Sequence, residues 1–276
     1  MAAADENSPR KVHPVPNTGL ARAYLIEGDG GLMAVDVGSL GCARDIADYI
    51  TRILGRSMAD LRYITATHFH IDHIGGIGRL LEVCPPRTRV LFHSVVEEYL
   101  AGKRKISLIR NWFAGLPPAT VVSVRSVRRL SHFGVGSPAG IPLPWIRNMV
   151  RLPFGPDRIE YFGEEGREDP SLGDFGFGEW KVLRTPGHTE DSVCFFNETT
   201  GELLSGDLII NISKEGRGSL NRFHWRKDRM EESYEYLLRM INPLCIYPGH
   251  GEVIGGEAGA LSRVRTFAGD AAAGGR

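Results

Sequence analysis

Residues 67–76 read Thr67-His68-Phe69-His70-Ile71-Asp72-His73-Ile74-Gly75-Gly76, and this run decides both the fold and the chemistry. Three imidazoles and one carboxylate, His68, His70, Asp72 and His73, fall within six consecutive positions. Neutral imidazole is the commonest metal ligand, and an adjacent carboxylate adds a hard, charge-compensating donor. His68 and His70 are two apart, so they are not an i, i+4 helical pair. In extended backbone, residues i and i+2 project to one side. The spacing lets His68 and His70 grip one ion while Asp72 and His73, past a turn, face a second. Leu61–Thr65 ahead of the run reads as a buried strand, and Ile74–Leu81 behind it as a helix. A loop leaving a strand end is where α/β proteins place their sites.

Further ligands lie downstream. Thr185-Pro186-Gly187-His188-Thr189, Leu204-Ser205-Gly206-Asp207 and Tyr247-Pro248-Gly249-His250-Gly251 each follow a strand-like run, at Trp180–Arg184, Glu202–Ser205 and Leu244–Tyr247. Glycine beside a ligand permits a sharp turn and close backbone approach. One such tripeptide is weak evidence; two Pro-Gly-His and one Ser-Gly-Asp in this order, all at strand ends, are strong. Together they resemble the metallo-β-lactamase superfamily, whose HxHxDH signature His68 to His73 match in full. The resemblance runs from about Leu20 to about Val253, apart from a central insertion.

The resemblance implies a four-layer αββα sandwich, an α/β (α+β) fold carrying two divalent ions. His68, His70 and His188 would hold the first ion, Asp72, His73 and His250 the second, and Asp207 would bridge them. Asp36, in Ala34-Val35-Asp36-Val37-Gly38, matches an early motif whose carboxylate supports the site from behind; it reads equally as a turn residue closing the first hairpin. Zinc suits a His-rich site with carboxylates, with iron or manganese as alternatives. A hydroxide held between paired ions would attack a carbonyl or phosphorus centre. Asp72 and Asp207 are then the catalytic carboxylates, Asp72 also orienting the nucleophile or moving a proton.

The rest of the pattern agrees with one domain over residues 1–276, with 1–12 and 270–276 as frayed tails. A chain of 276 residues buries a sizeable core. Ala21–Glu27 and Leu32–Val37 flank an Asp-Gly-Gly turn, a hairpin signal. Cys42–Leu54 has helical spacing through Ile46, Tyr49, Ile50 and Ile53, and Met230–Met240 reads as a second helix. Thirty-three basic residues balance 33 acidic ones, so no overall field points to nucleic acid. The four cysteines (Cys42, Cys84, Cys194, Cys245) have neither metal-like nor disulfide-framework spacing. With no signal-peptide pattern or membrane-length apolar run, a cytoplasmic location is expected. His13, His93, His132 and His224 read as structural or surface residues.

Residues 99–178 read as an inserted lid. Between Glu98 and Asp157 there is no acidic residue but there are nine basic ones, among them Arg104, Arg110 and Arg147, interleaved with Trp112, Phe113, Phe133 and Trp145. Such a segment suits a clamp on an anionic small-molecule substrate, for which Arg104, Arg110, Trp112, Trp145 and Arg147 are the candidates. Its alternative is a face neutralised by the acidic run from Glu160 to Asp174. The apolar, basic stretch over 141–154 would also suit an acyl chain or a membrane surface.

The Pro-Gly-His-Thr and Pro-Gly-His-Gly forms look most like the thioesterase and lactonase branches of the family, with glyoxalase II as the nearest analogue. That enzyme carries a C-terminal glutathione-binding segment, whereas only 26 residues follow His250. Hydrolysis of an ester, thioester or lactone is the expected activity. Metal-dependent cleavage of RNA is the alternative, since a basic, aromatic insertion can track a phosphate backbone.

Overall fold

A computed structural model describes residues 11–16, 18–110, 129–142, 150–163, 171–212, 216–255 and 259–268. The first sheet follows chain order: β1 (Val12–Val15), β2 (Ala23–Gly28), β3 (Gly31–Val35), β4 (Leu61–Thr65), β5 (Arg89–His93) and β6 (Ile159–Phe162). β1, β2 and β3 are antiparallel neighbours, and β3 to β6 run parallel. The second sheet has the order β14-β13-β10-β9-β8-β7. Its strands are β7 (Ser171–Leu172), β8 (Phe177–Arg184), β9 (Val193–Asn197), β10 (Glu202–Gly206), β13 (Cys245–Pro248) and β14 (Ile254–Gly255). A small ribbon pairs β11 (Ile209–Ile210) with β12 (Ser219–Leu220).

Side-chain alternation along the strands produces the layers. On β2, Tyr24 and Ile26 face the second sheet, packing with Trp180, Val182 and Phe195, while Leu25 faces the opposite way. Leu25 joins Ile46 of α1 (Leu40–Asp48) and Leu80 of α3 (Ile77–Leu81) in an outer helical core. On β9, Cys194 and Phe196 turn away from the sheet interface to meet Met230 and Leu237 of α5 (Lys227–Met240). Helix, sheet, sheet and helix are therefore separated by three apolar interfaces, which is the αββα order expected from the sequence.

Several boundaries move. Val12, assigned above to a tail, begins β1, and Lys11 N–H donates to the buried Glu202 carboxylate at 2.8 Å. The helix read over Cys42–Leu54 starts at Leu40, capped by the Ser39 hydroxyl, and passes into a π-helical turn over Tyr49–Ile53. The helix read over Ile74–Leu81 is two pieces, α2 (Ile71–Ile74) and α3. They break at Gly75-Gly76, where a Cβ on Gly76 would stand 2.1 Å from the Ser39 carbonyl oxygen. That contact lets the loop before α1 press directly on the histidine-rich turn.

The stretch 99–178 is not all insertion. Ile159–Phe162 pairs in register with Val90–His93, and Leu172 and Phe177 are buried between the sheets. Glu160 within so short a strand disguises it among the acidic residues that follow. Tyr99 closes α4 (Val95–Leu100) and is itself core. Val150, Leu152 and Phe154, read above as suited to a membrane surface, pack against the helical core on the first sheet's outer side. None of the four cysteines is in a disulfide. Among the described residues, no helix is long and apolar enough to cross a membrane.

Candidate metal centre

The histidine-rich loop leaves the C-terminal end of β4, His188 follows β8, Asp207 follows β10 and His250 follows β13. These strand ends meet at one edge of the sandwich. There the Val193 N–H donates to the Thr67 carbonyl oxygen at 2.9 Å, joining the two sheets. The seven candidate ligands converge as three overlapping groups: His68, His70 and His188; His68, His73 and Asp207; and Asp72, His73 and His250.

In the first group, His70 Nδ1 lies 3.0 Å from both His68 Nε2 and His188 Nε2. In the other outer group, Asp72, His73 and His250, taken as the second, His250 Nε2 lies 3.5 Å from Asp72 Oδ2, and His73 Nε2 lies 3.9 Å from the same oxygen. Asp207 stands between them, with Oδ2 3.3 Å from both His188 Nε2 and His250 Nε2 and Oδ1 3.5 Å from His73 Nε2. Two donors about 2.0–2.1 Å from one tetrahedral ion would be roughly 3.4 Å apart, so these separations suit coordination.

Hydrogen bonds behind the rings fix which nitrogen faces inward. His188 Nδ1 donates to the Phe223 carbonyl at 2.5 Å, and His250 Nδ1 to the Leu20 carbonyl at 2.9 Å. A carbonyl only accepts, so each Nε2 is left with its lone pair directed into the centre. His68 Nδ1 is 3.1 Å from the Thr67 hydroxyl, which itself reaches the Asp36 carboxylate at 3.0 Å. With His68 and His188 presenting lone pairs to His70 Nδ1, at most a single hydrogen atom can be shared among the three. His73 Nε2 and Asp207 Oδ1 are buried without a hydrogen-bond partner. A cation is what this donor set fits.

The electrostatics differ across the centre. Burial, reinforced by the neighbouring imidazoles, holds His68 and His70 well below the usual histidine range. Burial also lowers His188, against the pull of Asp207. Burial opposes ionisation of Asp207 too, but His250, His188 and His73 outweigh it and hold the carboxyl well below its usual range. His73 goes the other way: burial lowers it, but Asp36, Asp72 and Asp207 raise it to about 10. His250 is raised as well, with Asp207 and Asp72 overcoming burial. The first group is therefore neutral imidazole ready to ligate, and the second gathers carboxylates that call for positive charge.

Asp36 follows β3 and stands behind the candidate ligands. It turns the chain with a φ of 62°, and its buried carboxylate accepts from Thr67 N–H at 2.8 Å while lying 3.0 Å from His73 Nδ1. Arg104 does not offer a free clamp. Its guanidinium pairs with Glu98 and lies 3.6 Å from Glu190, so two carboxylates already meet its charge. Arg110 is exposed, its N–H bonded to the His224 carbonyl at 2.8 Å beside the His188 loop. Trp112, Trp145 and Arg147 lie outside the described residues.

Sequence reasoning missed two supports. Asn221 Nδ2 donates to Asp207 Oδ2 at 3.2 Å, and its own Oδ1 accepts from Phe223 N–H at 3.0 Å, so one side chain braces both Asp207 and the loop holding His188. Asp191, buried three residues after His188, accepts from Phe69 N–H at 2.6 Å; burial, resisted by its hydrogen bonds, pushes its carboxyl up to about 6.

Known proteins are similar to this chain in sequence and fold. Over 238 residues the chain is 25% identical to "Probable metallo-hydrolase YqjP" of Bacillus subtilis, covering 84% of this chain and 67% of that protein. A hydroxyacylglutathione hydrolase of Francisella philomiragia matches at 32% identity over 82 residues, so the chain spans only 31% of that relative's length. The BLEG-1 B3 metallo-beta-lactamase superposes with a TM-score of 0.53 at 17% identity, covering 91% of this chain and 95% of that one. TTHA1623 in a di-iron-bound form gives a TM-score of 0.50 at 20% identity, covering 89% and 93%. At these identities the structures speak for the fold alone. The model of the metallo-beta-lactamase superfamily matches residues 17–250, which span the whole ligand set, and the chain belongs to that superfamily.

Proposed function

We propose that this protein is a hydrolase using two divalent ions, most simply zinc, to cleave an ester, thioester or lactone carbonyl. The observation that carries the reading is Asp207, whose two oxygens lie within 3.5 Å of nitrogens from both ligand groups. His68, His70 and His188 would hold the first ion, Asp72, His73 and His250 the second, and Asp207 both. The ions would supply Lewis acidity and a water acidified to a pKa of roughly 7. Zinc accords with the nitrogen-rich donors; iron and manganese are the alternatives.

The chain's own residues do the remainder. Asp72, partly exposed at the open side, accepts the proton of the attacking water and returns it to the departing thiolate or alkoxide. Asp36 and Thr67 keep His73 and His68 turned inward. Exposed apolar side chains on segments beside the ligand loop favour an acyl group over a phosphodiester. The segment 129–142 lies against the ligand loop, with Gly136 N–H donating to Gly75 O at 2.6 Å and Ile71 N–H to Gly140 O at 3.2 Å. It exposes Phe133 and Val135, and Leu20, whose carbonyl fixes His250, is exposed as well.

The test is hydrolysis by the metal-loaded protein of an acyl-CoA, S-lactoylglutathione, an acyl-homoserine lactone, a β-lactam and an RNA oligonucleotide. Turnover of a thioester or lactone is expected. Cleavage of the RNA alone would overturn the reading in favour of a nuclease.

A further inference from the structure

We propose that Asp191 is a positioning residue for the first metal site, holding the His68-Phe69-His70 strand end against the His188 loop. The inference rests on the dinuclear reading above and adds a residue with no place in the ligand set. His68 and His70 point to one side of extended backbone, so Phe69 between them points to the other. There its ring is buried against Phe92 and Tyr99, with centroids 5.5 and 6.0 Å away. Its backbone N–H has no strand partner and donates instead to Asp191 Oδ2 at 2.6 Å, across 122 residues of sequence. Asp191 Oδ1 accepts from the Tyr99 hydroxyl at 3.4 Å, which fixes the carboxylate's other end to α4.

Three ties then join residues 67–70 to residues 188–193 in parallel. One is the sheet-joining bond from Val193 to Thr67, another is Asp191 to Phe69, and the last is the 3.0 Å approach of His188 Nε2 to His70 Nδ1. The first two are hydrogen bonds that place the third. A ligand pair brought together from opposite sheets can be no better positioned than the backbone beneath it. Losing the Asp191 acceptor leaves a buried N–H unpaired and releases the residue between two ligands. The second group has no such tie to Asp191; it stands on Asp36 and the Leu20 carbonyl.

The experiment measures zinc affinity by chelator competition in two backgrounds, each holding one ion group intact. In His250→Ala, which keeps the first group, adding Asp191→Ala should weaken zinc binding by roughly 10- to 100-fold, the usual effect of removing a group behind a ligand. In His188→Ala, which keeps the second, the same change should alter affinity less than about threefold. Asp191→Asn retains an oxygen for Phe69 N–H and can donate to the Tyr99 oxygen, so it should restore most of the first-group affinity. Should Asp191→Ala not fold, Asp191→Leu, similar in shape but without an acceptor, makes the same comparison. Equal losses in both backgrounds, no loss in either, or failure of Asp191→Asn to rescue would overturn the proposal. An unsubstituted protein that binds fewer than two zinc ions would instead sink the dinuclear reading itself.

Discussion

The two ligand groups sit side by side yet are built from different materials. The first is three imidazoles from two sheets, with His68 2%, His70 4% and His188 4% exposed. The second draws on Asp72 and His250, whose side chains are 24% and 18% exposed, with only His73 fully enclosed. Burial makes the first group neutral, so its lone pairs are available without loss of a proton. Carboxylates raise His73 and His250 in the second group, so positive charge is favoured there. The closed group is suited to permanent retention of an ion, and the open one to exchange with water and contact with substrate.

Changes to the residue shared by both groups should have the largest effect. Asp207→Ala leaves His73, His188 and His250 facing one another without their carboxylate, so zinc content should fall below one ion per chain. Hydrolysis should drop by roughly 10³-fold or more, about 4 kcal/mol in the barrier. Full occupancy in that variant would show that the groups are independent. Replacing one ligand should then separate them: His188→Ala should lose the buried ion, and His250→Ala the exposed one, each seen by titration with zinc. If either variant loses both ions together, the contrast between the groups fails.

Smaller effects probe the surroundings. Asp36→Asn keeps the hydrogen bond to Thr67 N–H but removes the charge beside His73, and should weaken the second ion by roughly tenfold. Phe133→Ala should raise KM for a long-chain acyl substrate by about fivefold, roughly 1 kcal/mol, and leave kcat for a short ester unchanged. A proportional loss of both would make Phe133 a folding element. His93 isolates burial from clustering, because burial, aided by Arg184, lowers its imidazole to about 4 without neighbouring imidazoles. Between pH 6.5 and about 4 the unfolded chain binds a proton at this position that the folded chain does not. Stability therefore rises with pH across that window and is lost as pH falls through it. Chelated protein carrying His93→Gln should show a flatter melting-temperature profile there; an unchanged profile would count against the buried neutral ring.

The clustering of the candidate ligands was legible because each signal is local: a donor close behind a strand-like run, with a glycine within a few residues for most of them. The layers were legible through the family resemblance and the order of strand-like and helical runs, and alternation on β2 and β9 shows in the structure which side faces which core. What stayed hidden depends on distance. Asp191 and Asn221 acquire meaning only through bonds to Phe69 and Asp207, 122 and 14 residues away. β6 could not be separated from the insertion because its pairing with β5 joins residues some seventy positions apart. Arg104 looked like a clamp because no acidic residue lies between Glu98 and Asp157, yet Glu98 and Glu190 reach it in space.

The central claim is that seven side chains form two sites joined at Asp207. Elemental analysis of the purified protein, taken alongside Asp207→Ala, tests it most directly. Two ions per chain, falling below one in the variant, is the expected result. One ion or none in the unsubstituted protein, or two retained without Asp207, would contradict it.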